Sequence, residues 1–310
     1  MKNPDNKPQP ALFDENRMIL RQKRAIELNS AGADFLAQRI SEDLGHRLHA
    51  TNRQFDEVGD FFSFSDQMSS TLKNLKNVGN VVRYELPQIA QLLDAIAVDS
   101  ILPLSSNDWE TAINNSSLPQ YEKEKLDLVI SVMGLHSCND LPKILTRLFQ
   151  CLKSDGLLLI ALPVNGTLNE LRDSLTRAEL ELCGGAAMRV DAFVDIQQAG
   201  GLLQSAGFKL PVVDREEVIV RYNDIYALID DLRAMGMTSA LKQNVNRQPH
   251  RNLFRRANEL YKEYYSDGDG RIRASFNYVN LTAWTPHENQ QKPLKPGSAQ
   301  TSLAKHLKDN

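Results

Sequence analysis

Cysteine is scarce. Cys138, Cys151 and Cys183 are the only three in 310 residues, and no two stand in CxxC spacing. That excludes a disulfide framework or a cysteine-built zinc site, and no metal site is expected. Long apolar runs are missing too: nothing approaches the roughly 20 residues that a membrane span needs. The opening MKNPDNKPQP is polar and proline-rich, without the apolar or arginine-rich pattern of a targeting segment. A cytoplasmic protein without a membrane span is the expectation. Neither sign of charge dominates, since 36 basic and 39 acidic residues leave a net charge of −3 and no footprint for nucleic acid. No HExxH pair, Walker-type loop or Ser/His/Asp ordering occurs. Glycine, finally, is absent between Gly59 and Gly79.

What is there alternates. From Leu12 to about Leu48, Ile19, Ala25 and Leu28, then Leu36, Ile40 and Leu44, recur at helical steps. Arg17, Arg21, Lys23 and Arg24 cluster near the start. Such a cluster is either a solvated helix face or a flap over a cofactor or a dock for an acidic partner. Short apolar runs follow at Phe55–Phe62, Asn80–Glu85, Leu92–Val98, Leu126–Val132 and Leu157–Leu162. Between the last two lies an amphipathic helix, Leu141–Leu152, after the cap pair Asn139-Asp140. Buried runs alternating with helices specify an α/β fold, a doubly wound, mainly parallel sheet covered on both faces.

Further along, helical periodicity marks Leu168–Leu182 and a segment from Phe193 to Ala206 that stops at Gly207. Two β runs, Glu217–Arg221 and Phe276–Trp284, are expected to pair in the same sheet. Between them Asn223–Tyr265 reads as a helical cap. The Asp267–Gly270 turn lacks the downstream ligands of a calcium loop. These readings divide the chain into a disordered start over 1–11, a domain over 12–285 and a polar tail over 286–310.

In doubly wound sheets ligands bind beyond the carboxyl ends of the strands. Glu85 ends the second run, where a carboxylate can accept both hydroxyls of a ribose. Asp99 and Ser100 follow the third run, where a side chain can face an adenine edge. Met133 follows the fourth, opening a loop that carries His136, a candidate acid or base. Each has a plainer reading: Asp99 as a turn residue, Glu85 as a strand-end charge, His136 as a structural histidine.

The stretch Leu126–Ser131, then Leu135-His136 and Asn139–Pro142, resembles the fourth-strand segment of class I S-adenosylmethionine methyltransferases. Leu152–Gly156 is similar to their "LKPDG" step, and Asp99 with Leu102–Leu104 to their "D…LPF" segment. Leu12–Asp14, Thr167–Arg172, Asp231–Gly236 and Trp284–Glu288 with Pro296–Ala299 resemble one subgroup, that of the mitochondrial complex I assembly factor and its alphaproteobacterial relatives. The resemblance covers nearly the whole chain. It implies one seven-stranded Rossmann-like domain with N-terminal helices, antiparallel sixth and seventh strands, and a helical cap. It also implies S-adenosylmethionine as cofactor, held by Asp60, Glu85, Asp99, Ser100 and Met133. The partner it implies is a protein substrate such as a respiratory complex subunit, hydroxylated on an arginine.

One departure stands against the match. Where the family has an acid followed by a glycine-rich loop, this chain reads Asp60-Phe61-Phe62-Ser63-Phe64-Ser65-Asp66-Gln67-Met68. No residue there freely adopts positive φ, so the methionine half of the cofactor is expected to bind weakly or not at all. Three readings follow: a methyltransferase, an arginine-modifying assembly factor, or a cofactor-free pseudo-methyltransferase acting as an assembly or binding protein.

Overall fold

The computed structural model describes residues 11–28, 30–93, 98–104, 123–244 and 248–290. Seven strands form one sheet in the order β3-β2-β1-β4-β5-β7-β6. They are β1 (Phe55–Phe61), β2 (Val78–Glu85), β3 (Ser100–Pro103), β4 (Leu126–Val132), β5 (Leu152–Pro163), β6 (Lys209–Tyr222) and β7 (Ile272–Trp284). The first five pair in parallel, and β7 runs antiparallel to both β5 and β6. The doubly wound reading is therefore correct. The two late β runs do pair, with Glu217 opposite Asn277 and Val218 opposite Phe276.

Strand side chains alternate between two cores. Leu128 and Ile130 face one, with Leu36, Ile40 and Leu44 from α2 (Phe35–Ala50) and Met68 and Leu72 from α3 (Gln67–Lys73). Val129, Leu158 and Ile160 face the other, with Leu145 and Leu148 of α5 (Leu141–Cys151). The Asp140 carboxylate accepts from the Lys143 amide at 3.1 Å and caps α5; Asn139 instead accepts from the Phe13 amide at 2.8 Å, tying down the N-terminal segment.

The long helical pattern before Leu48 is two helices, α1 (Glu15–Leu28) and α2, with Gly32 at φ +79° between them. Two more, α6 (Asn169–Cys183) and α7 (Ile196–Ser205), lie between β5 and β6 in the chain. The insertion holds α8 (Ile225–Ala234) and α9 (Leu253–Tyr265); Ile225, Leu228, Leu253, Ala257 and Leu260 are buried in the first core. Helix α1 lies against α8, and Gly236 (φ +69°) lets them approach, because a Cβ there would stand 3.2 Å from Ala25.

The third run needs correction. Residues 94–97 lie outside the described residues, Leu92 and Val98 are not in a strand, and β3 begins at Ser100. A short helix, α4 (Pro87–Ala90), starts on Pro87, whose fixed φ suits a first turn. Residues 1–10 of the expected disordered start and 291–310 of the tail also lie outside the described residues.

Candidate functional site

Beyond the carboxyl ends of β1 and β2, beneath α1, lies a cavity of about 440 Å³. Glu85 and Arg83 form its polar floor, the Ser63–Asp66 loop one wall, Ala25 and Ile26 of α1 another, and Ile89 and Leu92 an apolar side. Arg83 and Glu85 are two residues apart on β2, so both point to the same face. Asp60 of β1 pairs in register with Arg83.

Arg83 organises this floor. Its guanidinium donates to Glu85 at 3.1 Å and stands 3.8 Å from Asp60, with all three side chains almost wholly buried. It also donates to the Ser65 carbonyl at 2.8 Å and to the Ser63 carbonyl. Asp60 accepts from the Ser63 hydroxyl and from Ser69 at 2.6 Å. Burial pushes the Glu85 carboxyl above its ordinary value, against the pull of Arg83 and of the Leu86 amide.

The rest of the loop is committed to the sheet. The Phe62 amide donates to Tyr84 (2.9 Å) and the Phe64 amide to Val132 (2.8 Å). Phe61 turns to the opposite core and stacks on Tyr84 at 4.2 Å. Phe62 takes φ +52°, a left-handed conformation that costs a non-glycine residue roughly 1–2 kcal/mol. Its carbonyl lies so close to Gly134 that a Cβ there would stand 1.5 Å from it. The site's residues suit a nucleoside, offering a carboxylate beside apolar side chains. They suit an amino-acid moiety poorly, because two loop amides and two loop carbonyls are already bonded.

Of the expected site residues, Glu85 lines this cavity and Asp60 lies beneath it, tied to Arg83. Asp99 and Ser100 do not line it. They stand at the amino end of β3, where Asp99 pairs with Lys73 and accepts from the Val81 amide at 2.7 Å. Those contacts hold its carboxyl below the ordinary value, the Lys73 bond most strongly. The expectation of an adenine contact from Asp99 fails because the strand starts after it. Met133 is buried at φ +58°, outside the cavity lining. His136 donates from Nδ1 to the Met133 carbonyl at 2.8 Å and lines neither this cavity nor the second described below. Burial pushes its imidazole pKa down, opposed by that bond and by Asp191.

Sequence reading missed Arg83. Its signal was present in NVVRYE, where an arginine interrupts an apolar run two places before the acid.

A family model described as "Methyltransferase domain" matches residues 104–160. The mitochondrial arginine-hydroxylase NDUFAF5 of Mus musculus is 35% identical over 279 residues, covering 89% of this chain and 78% of that protein. The Dictyostelium discoideum protein of the same name is 39% identical over 179 residues, covering 57% of this chain and 41% of that protein; the matched region spans less than half of its length. Among solved structures, the YcgJ protein of Bacillus subtilis superposes with a TM-score of 0.51 at 9% identity, covering 79% of this chain and 99% of that one, a likeness of fold alone. The cytoplasmic expectation is overturned, because these relatives are named mitochondrial, which points to the mitochondrion. Among the described residues no helix is long and apolar enough to cross a membrane.

Proposed function

The chain belongs to the family of the mitochondrial arginine-hydroxylase NDUFAF5, and on that premise we propose that the cavity beneath α1 takes S-adenosylmethionine, weakly, in support of chemistry on an arginine of a protein partner such as a respiratory complex subunit. The observation that carries the cofactor assignment is Glu85: a buried carboxylate at the carboxyl end of β2, on the floor of a cavity within the usual size of ligand pockets. Glu85 would accept from the ribose hydroxyls, and Ile89 and Leu92 would cover the base. The cofactor, when bound, supplies an electrophilic methyl group or a positioned sulfonium. This chain's residues bind and orient it and exclude water with α1. His136 lies outside the cavity lining and carries no step.

A second reading, a cofactor-free binding protein, draws on Arg83. By bonding the Ser63 and Ser65 carbonyls it pins the loop that would cradle the methionine half. Leaving a ligand's charged groups unpaired costs several kcal/mol, and each 1.4 kcal/mol is about tenfold in affinity. Calorimetric titration with S-adenosylmethionine and S-adenosylhomocysteine decides. The expected outcome is a dissociation constant nearer millimolar than micromolar, further weakened in Glu85→Ala. Low-micromolar binding would refute the weak-site reading, and no saturable binding at all would leave the binding-protein reading.

A further inference from the structure

Helix α1 has a second face. Ala25 and Ile26 look onto the cavity over Glu85, whereas Arg17, Arg21 and Arg24 line a different cavity, of about 500 Å³, on the other side of the α1–α8 wall. Arg189 and Arg233 line it too, and no carboxylate does among the described residues. The rest of the lining is largely apolar, with Thr238, Ser239 and Gln248 as its polar members: Leu171, Leu175 and Leu232 are buried there, and Ile229, Met237 and Phe254 are half-buried.

Two of the five arginines are already paired, Arg189 with Glu179 at 2.8 Å and Arg233 with Asp230 at 2.9 Å. For Arg17, Arg21 and Arg24 no salt bridge is found among the described residues. They sit at i, i+4 and i+7, where like charges on a helix repel. Arg21 shows the consequence. Burial first, and then the Arg17 charge, depress its guanidinium, outweighing the opposing pull of Asp191 and Asp14, and it donates to the Thr238 carbonyl at 2.6 Å. A negative group between these side chains would relieve that repulsion and gain forked, charge-assisted bonds. A cationic acceptor would meet like charge. The apolar wall asks for an aliphatic body behind the anion.

We propose that this second cavity binds a small anionic amphiphile, an aliphatic chain ending in a carboxylate or phosphate, with Arg17, Arg21 and Arg24 on the head and Ile229, Met237 and Phe254 along the chain. The assignment does not rest on the cofactor reading, because the two cavities share no lining residue.

The test is calorimetry of the full chain with decanoate and decyl phosphate below their micellar concentrations and with decanol below its solubility limit. Saturable 1:1 binding of either anion, at least tenfold tighter than decanol and tighter than butanoate, is expected; the tighter of the two anions identifies the head group. In the double variant Arg17→Gln/Arg24→Gln the anions should weaken at least tenfold while decanol stays the same. Arg24 is exposed, so Arg24→Gln alone, with a several-fold loss, serves if the double variant does not fold. Equal affinity for decanol, anion binding that ignores both variants, or binding only to anionic phospholipid vesicles would each overturn the proposal. Titration of S-adenosylhomocysteine into the same variants separates the two sites, since its affinity should not change.

Discussion

The Arg83 guanidinium and the Glu85 carboxylate, two places apart on β2, meet at 3.1 Å beneath the cavity, and Asp60 joins them from β1 at 3.8 Å. Three ionisable groups are thereby buried in one patch with a net charge of −1 when all are ionised. Removing the only cation leaves two buried carboxylates without it. Arg83→Met is therefore expected to destabilise the fold by about 3–5 kcal/mol, read as a lower urea midpoint at unchanged slope. A midpoint close to wild type would show that the trio contributes little to folding.

Glu85 has a separate role to test. Glu85→Gln keeps the shape and removes the charge that a ribose would meet. If Glu85 receives those hydroxyls, affinity for S-adenosylhomocysteine should fall by about 1–3 kcal/mol, or roughly 5- to 150-fold. A folded Glu85→Gln variant with unchanged affinity would take Glu85 out of the site.

The core strands were legible because they are buried on both faces: Leu126–Val132 stands in the structure with the bounds the apolar run predicts. β6 was legible only in part: its fourteen residues exceed the expected Glu217–Arg221. It is an edge strand, alternating exposed and half-buried positions, and Asp214, Arg215 and Glu216 conceal its first half. Glu85 was legible as a strand-end acid. Asp99 misled because β3 begins only after it, at Ser100, which leaves Asp99 at the amino end of the strand. Of the second cavity only the basic cluster on α1 was legible, since Arg17, Leu171, Ile229 and Phe254 meet only through tertiary packing.

Gly134 carries a sharper constraint than any glycine the cofactor loop lacks. An added Cβ would stand 1.5 Å from the Phe62 carbonyl, which is backbone and cannot step aside. Gly134→Ala should therefore displace the Phe62 turn and destabilise the protein by more than about 3 kcal/mol, beyond ordinary overpacking. Gly268, with nothing within 4 Å of an added Cβ, is the control. Gly268→Ala should change stability by less than about 1 kcal/mol. Equal effects of the two substitutions in thermal unfolding would contradict the close approach.

Acid should act through His136. Burial is the main force depressing its pKa in the folded protein, with the Met133 carbonyl and Asp191 opposing. A histidine depressed by folding takes up its proton first in the unfolded chain. Its contribution is therefore complete above the unfolded value of about 6.5 and is lost as pH falls from there toward the folded value. Asp191 changes stability in the opposite sense, because burial raises its carboxyl. The readout is consequently the difference between proteins rather than the raw profile. His136→Asn offers an uncharged side chain that can still donate to Met133. Between pH 7.5 and 5 the wild type should lose more stability than this variant, by up to about 1.4 kcal/mol for each pKa unit of depression. Parallel profiles in urea unfolding across that range would mean that the imidazole titrates alike in both states, and that burial at His136 is electrostatically idle.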